Sequence, residues 1–172
     1  MKTIHHAFGP LLIAVMAGCA SRAGVVLHQP VGPGHPQTAS RSRRQGELIV
    51  YSAPEAADPA NAYQVSHTSY KILAPDGKLL RRIDNRCGSF YSQPVTVDLA
   101  PGQYEIEAQA VNAGRVIVPV LIEDGRTTVV DLDETQFPQD VPKDSPDWVR
   151  LPNGIVIGAA AEPAGSQMTV SK

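Results

Sequence analysis

With 172 residues, 14 glycines, 15 prolines and 5 % aromatic residues, the chain has room for one modest domain and much turn and loop. The formal net charge is −2, but setting aside Lys2, Arg22, Arg41, Arg43 and Arg44 leaves ten bases against seventeen acids, about −7 for the globular part. That balance argues against a polyanion-binding domain and for simple solubility.

The first elements in chain order concern address rather than fold. Met1-Lys2 followed by the apolar run 11–16 is too short to span a bilayer and reads as a signal peptide over 1–18. Residues 19–45 are rich in Gly, Pro, Ser and Gln, hold no acid, and carry Arg22, Arg41, Arg43 and Arg44. They read as a disordered basic tether about 30 Å long on root-mean-square average. Its arginines serve either as anionic headgroup contacts or as a plain soluble linker. Arg41, Arg43 and Arg44 have no aromatic neighbours, so no nucleic-acid partner is expected.

The domain proper is expected over 46–133. Strands are predicted at 47–52, 69–73 and 78–83, the last two joined by Pro75-Asp76-Gly77. Long loops fall at 53–67 and 84–93. In the stretch 94–132, Val95, Val97 and Leu99 alternate with polar residues. Pro101-Gly102 then turns the chain into an alternation of Tyr104, Ile106 and Ala108, which reads as a hairpin. The runs 116–122 and 127–132 meet at Asp124-Gly125, a second hairpin signal. Pro119 cannot donate to a ladder, which predicts an edge or a bulge there.

Seven strands without helical periodicity predict an all-β fold, a single seven-stranded antiparallel β-sandwich. Its expected core is Leu48, Val50, Tyr70, Ile72, Leu79, Ile83, Val97, Leu99, Tyr104, Ile106, Ala108, Val118, Val120 and Val129. Residues 134–172 read as loop, a small hairpin around Asn153-Gly154, and a disordered tail from Ala159.

Two resemblances add to this. Met16-Ala17-Gly18-Cys19 resembles the lipobox of bacterial lipoproteins, although Met16 stands where leucine is usual. The resemblance implies cleavage after Gly18 and lipidation of Cys19. With Ala20 rather than aspartate next, it implies the periplasmic face of the outer membrane. The alternative is an ordinary secretory signal in which Cys19 is incidental. The second resemblance rests on Gln93-Pro94, the run 97–106 with its Pro101-Gly102-Gln103-Tyr104 turn, and Gly125-Arg126-Thr127-Thr128-Val129. These are similar to PEGA and carboxypeptidase-regulatory-like domains, although Gly114-Arg115 stands where a Gly-aromatic pair is usual. The family implies a transthyretin-like or immunoglobulin-like sandwich acting as a non-catalytic module of exported bacterial proteins.

Candidate sites are few. Cys87, the one cysteine left after Cys19, reads as structural, the alternative being a nucleophile paired with His67. His28 and His35 read as incidental rather than as metal ligands, and Asp131, Asp133 and Glu134 lack the spacing of a calcium loop. Asp98, Glu105 and Glu107 read as solvated carboxylates. No catalytic residue, metal or cofactor is expected.

Tyr51, Tyr63, Phe90 and Tyr91 lie at or beside the two long loops. If the loops gather at one end, they form a contact surface with Arg81, Arg82 and Arg86; otherwise the aromatics pin the loops to the core. The reading is a membrane-anchored, non-enzymatic binding or structural module, with an envelope protein or glycan as partner. The alternative is an accessory subunit of an envelope enzyme or transport complex that docks by strand addition near Pro119.

Overall fold

The computed structural model describes residues 24–34, 45–55, 66–85, 93–137 and 145–161. Eleven strands and no helix occur among them. In chain order they are β1 (Val25–Val26), β2 (Val31–Gly32), β3 (Gly46–Tyr51), β4 (Tyr70–Leu73), β5 (Leu79–Ile83), β6 (Thr96–Leu99), β7 (Gly102–Ala110), β8 (Gly114–Ile122), β9 (Thr127–Asp131), β10 (Trp148–Arg150) and β11 (Val156–Ala160). One sheet runs β10-β11-β2-β8-β7-β4-β5 with β1 also on β8, and a smaller one runs β6-β3-β9.

The chain is all-β, and each of the seven expected strands is present, as β3 to β9. The arrangement differs from a seven-stranded antiparallel sandwich. Both sheets are mixed, because β1 and β2 run parallel to β8 and β3 runs parallel to β9. The Pro101-Gly102 and Asp124-Gly125 turns are not hairpins either. Each carries the chain from one sheet to the other, β6 to β7 and β8 to β9. Alternation shows that one face of a strand is buried, but says nothing about which strand is its neighbour. The first crossing is held by Tyr104, whose hydroxyl donates to the Ala100 carbonyl at 2.9 Å, while Gly102 takes a φ of 154° that a side chain would oppose. At the second, the Thr128 hydroxyl donates to the Leu121 carbonyl at 2.8 Å and ties the sheets together.

The expected tether is shorter than its composition suggests. Val25 and Val26 pair with Val116 and Ile117, and Val31 pairs with Val120, so this stretch fills the edge of β8. The tail expectation is likewise corrected at Ala159 and Ala160, which pair with Gly32 and Val31. The short valine runs are too brief to show a period, and an open strand edge elsewhere in the chain recruits them. The hairpin expected around Asn153-Gly154 is present as β10 and β11.

Pro119 does not mark an edge, since β8 lies between β7 and the β1/β2 pair. Ile117 turns its carbonyl toward Leu27, accepting at 3.2 Å, so Pro119 two residues on directs its nitrogen the same way. There the ladder is interrupted by residues 27–30, between β1 and β2. The missing N–H falls in a gap.

The core lies between the sheets. Leu48, Val50, Val97 and Val130 from the small sheet meet Tyr70, Ile72, Ile106, Val116, Val118, Val120 and Ile157 from the large one. Val130 replaces the expected Val129, because Thr128 and Val130 face inward and Val129 does not. Leu99 and Tyr104 are half-buried beside their crossing. Leu79 is 53 % exposed, because β5 is an edge strand that the three-stranded sheet does not reach.

Candidate functional site

Two constellations combine unusual burial, charge or exposure. The first is a polar knot between the sheets at the end where β3 and β9 finish and β4 begins. Ser52, His67, Asn85 and Asp131 are all buried there. The Asn85 amide donates to the Val50 carbonyl at 2.8 Å and the Ser52 hydroxyl at 3.0 Å, and its oxygen accepts from the Val95 N–H at 2.9 Å. Ser52 in turn donates to the Thr68 carbonyl at 2.6 Å. The His67 ring meets Tyr51 edge-on at 5.8 Å. Its Nδ1 lies 2.7 Å from the Ser52 carbonyl, which can only accept, so Nδ1 carries the proton and donates it.

Asp131 receives five backbone N–H groups. Asp133, Glu134 and Thr135 reach one oxygen at 3.2, 2.9 and 3.4 Å, and Gln136 and Phe137 reach the other at 2.7 and 3.1 Å. The carboxylate folds the following loop around itself, and Glu134 takes a φ of 68° to close it. A carboxylate ringed by donors is a poor cation ligand, so the calcium alternative at Asp131 finds no open oxygen. Asp133 has its carboxyl pushed up by burial, then by its hydrogen bond and repulsion with Asp131. His67 does not offset this. Its Nδ1 proton is held by Ser52 at 2.7 Å, against 3.5 Å to Asp133.

Chemically the knot looks like the parts of a nucleophilic triad, yet its geometry differs. The Ser52 hydroxyl donates to Thr68 and accepts from Asn85, and the imidazole Nδ1 addresses the serine's carbonyl. What it does is join the sheets and hold the flanks of both long loops. Tyr51–Glu55, Ser66–Tyr70, Ile83–Asn85 and Gln93–Val95 all lie at this end, next to the β7–β8 turn, where the Ala53 N–H donates to Gln109 at 2.8 Å.

The second constellation is the outer face and free edge of the large sheet. Arg82, Lys71 and Glu107 stand in one cross-strand row on β5, β4 and β7. Lys71 Nζ and Arg115 Nη2 each reach a different oxygen of Glu107 at 2.6 Å. Burial alone would raise the Glu107 carboxyl, but the bonds from Lys71 and Arg115 outweigh it and hold the group below its ordinary 4.5. Glu107 is therefore an ion-paired carboxylate and not the free, solvated one expected. These side chains, with Ser69 and Gln109, line a shallow recess of about 100 Å³. Lys71 and Arg82 stand directly opposite one another, an unfavourable like-charge pair.

Beyond Arg82 the sheet ends. Among the described residues no strand pairs with the outer side of β5, and Leu79, Leu80, Arg81 and Arg82 are all exposed. Leu79 and Leu80 are 53 % and 51 % exposed, at an irregularity where Leu73 pairs with Leu79 but Ile72 with Arg81.

Of the residues expected at a contact surface, Arg82 sits on this edge. Tyr63, Arg86, Phe90 and Tyr91 lie outside the described residues, as do Cys19 and Cys87. Asn85, Asp131 and Ser52 gave no sequence signal of their role, since their partners lie tens of residues away. Comparison with family models, curated proteins and solved structures found no match.

Proposed function

We propose that the chain is a non-catalytic binding module of the bacterial envelope, anchored by lipid on Cys19, which takes an extended segment of a partner onto the edge of β5. The observation that carries this is the edge itself: an end strand that exposes Leu79 and Leu80 and, among the described residues, has no strand on its outer side. A partner strand would cover Leu79 and Leu80 while its N–H and C=O groups complete the ladder. The module then works as an accessory subunit, at the periplasmic face of the outer membrane.

Charge disfavours a second copy in the central registers. In a two-fold antiparallel pairing of β5 edges, registers centred on Leu80, Arg81 or Arg82 oppose Lys78 to Arg82, Arg81 to itself, or Arg82 to itself. Each is a like-charge pair. A carboxylate opposite Arg82 is favoured instead, and it would relieve the repulsion between Arg82 and Lys71. The non-catalytic reading is supported by the knot, where the Ser52 hydroxyl is committed to Thr68 and Asn85.

A photo-crosslinking amino acid placed at Leu80 in intact cells tests this, with Thr96 on β6 as the control. The expected product is one partner segment joined at position 80, lost when Leu79→Lys or Arg82→Glu is introduced beside the probe. Crosslinks from Thr96 with none from Leu80 would sink the reading.

A further inference from the structure

We infer that the end of the domain carrying the flanks of both long loops faces the lipid surface at close range, with the Ile83 end of β5 nearer to it than the Leu79 end. The inference rests on the anchor proposed at Cys19; what is new is the orientation and the distance, which follow from where the chain first docks. Val25 pairs with Val116 and Val26 with Ile117, so the chain joins the sheet at the start of β8. Gly24 already lies against the Arg115 backbone, where an added Cβ would stand 2.9 Å from the carbonyl oxygen. From Cys19 to Gly24 is five residues, which span at most about 18 Å whatever their conformation.

The start of β8 is the same end of the sandwich as the polar knot. Gln109 pairs with Arg115, and its carbonyl accepts from Ala53 beside the first loop. Val111, in the β7–β8 turn, donates to Leu132 at 2.8 Å. A tether reaching to residue 45 would have let either end approach the lipid; one that ends at Gly24 keeps this end within about 18 Å of it. Chain length, not charge, imposes the approach, because Arg115 and Arg82 at this end are accompanied by Asp84, Asp133 and Glu134. The β5 edge runs from Leu79 at the far end to Ile83 at the near one, so a partner segment would reach toward the lipid at its Ile83 end.

Strand β7 supplies the ruler. Gln103 and Gln109 are both exposed on one face of it, about 20 Å apart at the usual rise per residue. The full lipidated chain, carrying a fluorescent amino acid at one or the other position, is placed on phosphatidylethanolamine–phosphatidylglycerol vesicles that bear a headgroup quencher. The expected result is quenching several-fold stronger at Gln109 than at Gln103. Inserting a Gly-Ser segment of about twenty residues before Arg22, which spans roughly 25 Å, should abolish the difference. Equal quenching of the two positions on a chain whose Cys19 lipid is confirmed by mass spectrometry overturns the orientation and leaves the anchor standing. Absence of that lipid overturns both.

Discussion

Replacing Asp131 by alanine removes an acceptor from five backbone N–H groups at once, of which Thr135 keeps a second, the Asp133 carboxylate at 3.0 Å. The two contacts at 3.2 and 3.4 Å are long and contribute little. Those from Glu134, Gln136 and Phe137, at 2.9, 2.7 and 3.1 Å, carry the effect. Thr135 and Gln136 are exposed and can turn to water, whereas Glu134 and Phe137 are half-buried. A hydrogen bond to a charged group contributes about 1.5–3 kcal/mol, and partial rehydration brings the loss to about 3–5 kcal/mol. Against a total stability of roughly 5–15 kcal/mol that is a large fraction. For a domain of this size it should lower the melting temperature by about 10–20 °C. Asp131→Asn keeps one acceptor oxygen but turns an amide toward the Gln136 and Phe137 donors, and should lose about half as much. Thermal melts followed by circular dichroism at pH 7 measure both. A melting temperature for Asp131→Ala within about 2 °C of the parent would show that the carboxylate does not organise the loop.

Glu107→Gln should cost about 1–2 kcal/mol at pH 7, since it leaves Lys71, Arg115 and Arg82 together on partly exposed ground. Because the folded carboxyl lies below its ordinary 4.5, its contribution is full above that value and is lost as pH falls through the folded pKa. Urea midpoints from pH 7 to pH 3 should therefore fall less in the variant than in the parent. Asp133 has the opposite sign. Its raised pKa means stability is lost as pH rises from the ordinary 3.8 through the folded value, so Asp133→Asn should flatten that limb and melt no lower than the parent at pH 7. The Tyr70 hydroxyl is buried and has no hydrogen-bond partner among the described residues, and Tyr70→Phe should leave stability unchanged or raise it by about 1 kcal/mol in urea titration. A methyl at Gly46 would strike the Glu123 carbonyl and Ile122, so Gly46→Ala should cost about 1–3 kcal/mol by the same measurement.

Much of this chain is visible in its residues one at a time. The alternation at Val95, Val97 and Leu99, and at Tyr104, Ile106 and Ala108, announces strands with one buried face, and Pro75-Asp76-Gly77 and Asn153-Gly154 sit in hairpins as their chemistry requires. These are local properties, set by φ, ψ and a period of two. What local chemistry does not encode is the choice of neighbour. Pro101-Gly102 and Asp124-Gly125 suit a hairpin or a crossing equally well, and only the pairing of β6 and β9 with β3 decides for a crossing. The same holds for Val25, Val26 and Val31, which read as linker because the β8 edge that receives them lies some ninety residues further on. Asp131 and Asn85 look like ordinary surface polar residues until the fold closes over them. Strands β3 to β9, the two hairpin turns and the resemblance at Cys19 are legible residue by residue. That β5 ends a sheet, and that the chain docks five residues after that cysteine, emerge only on folding, because both depend on which distant segments compete for the same backbone hydrogen bonds.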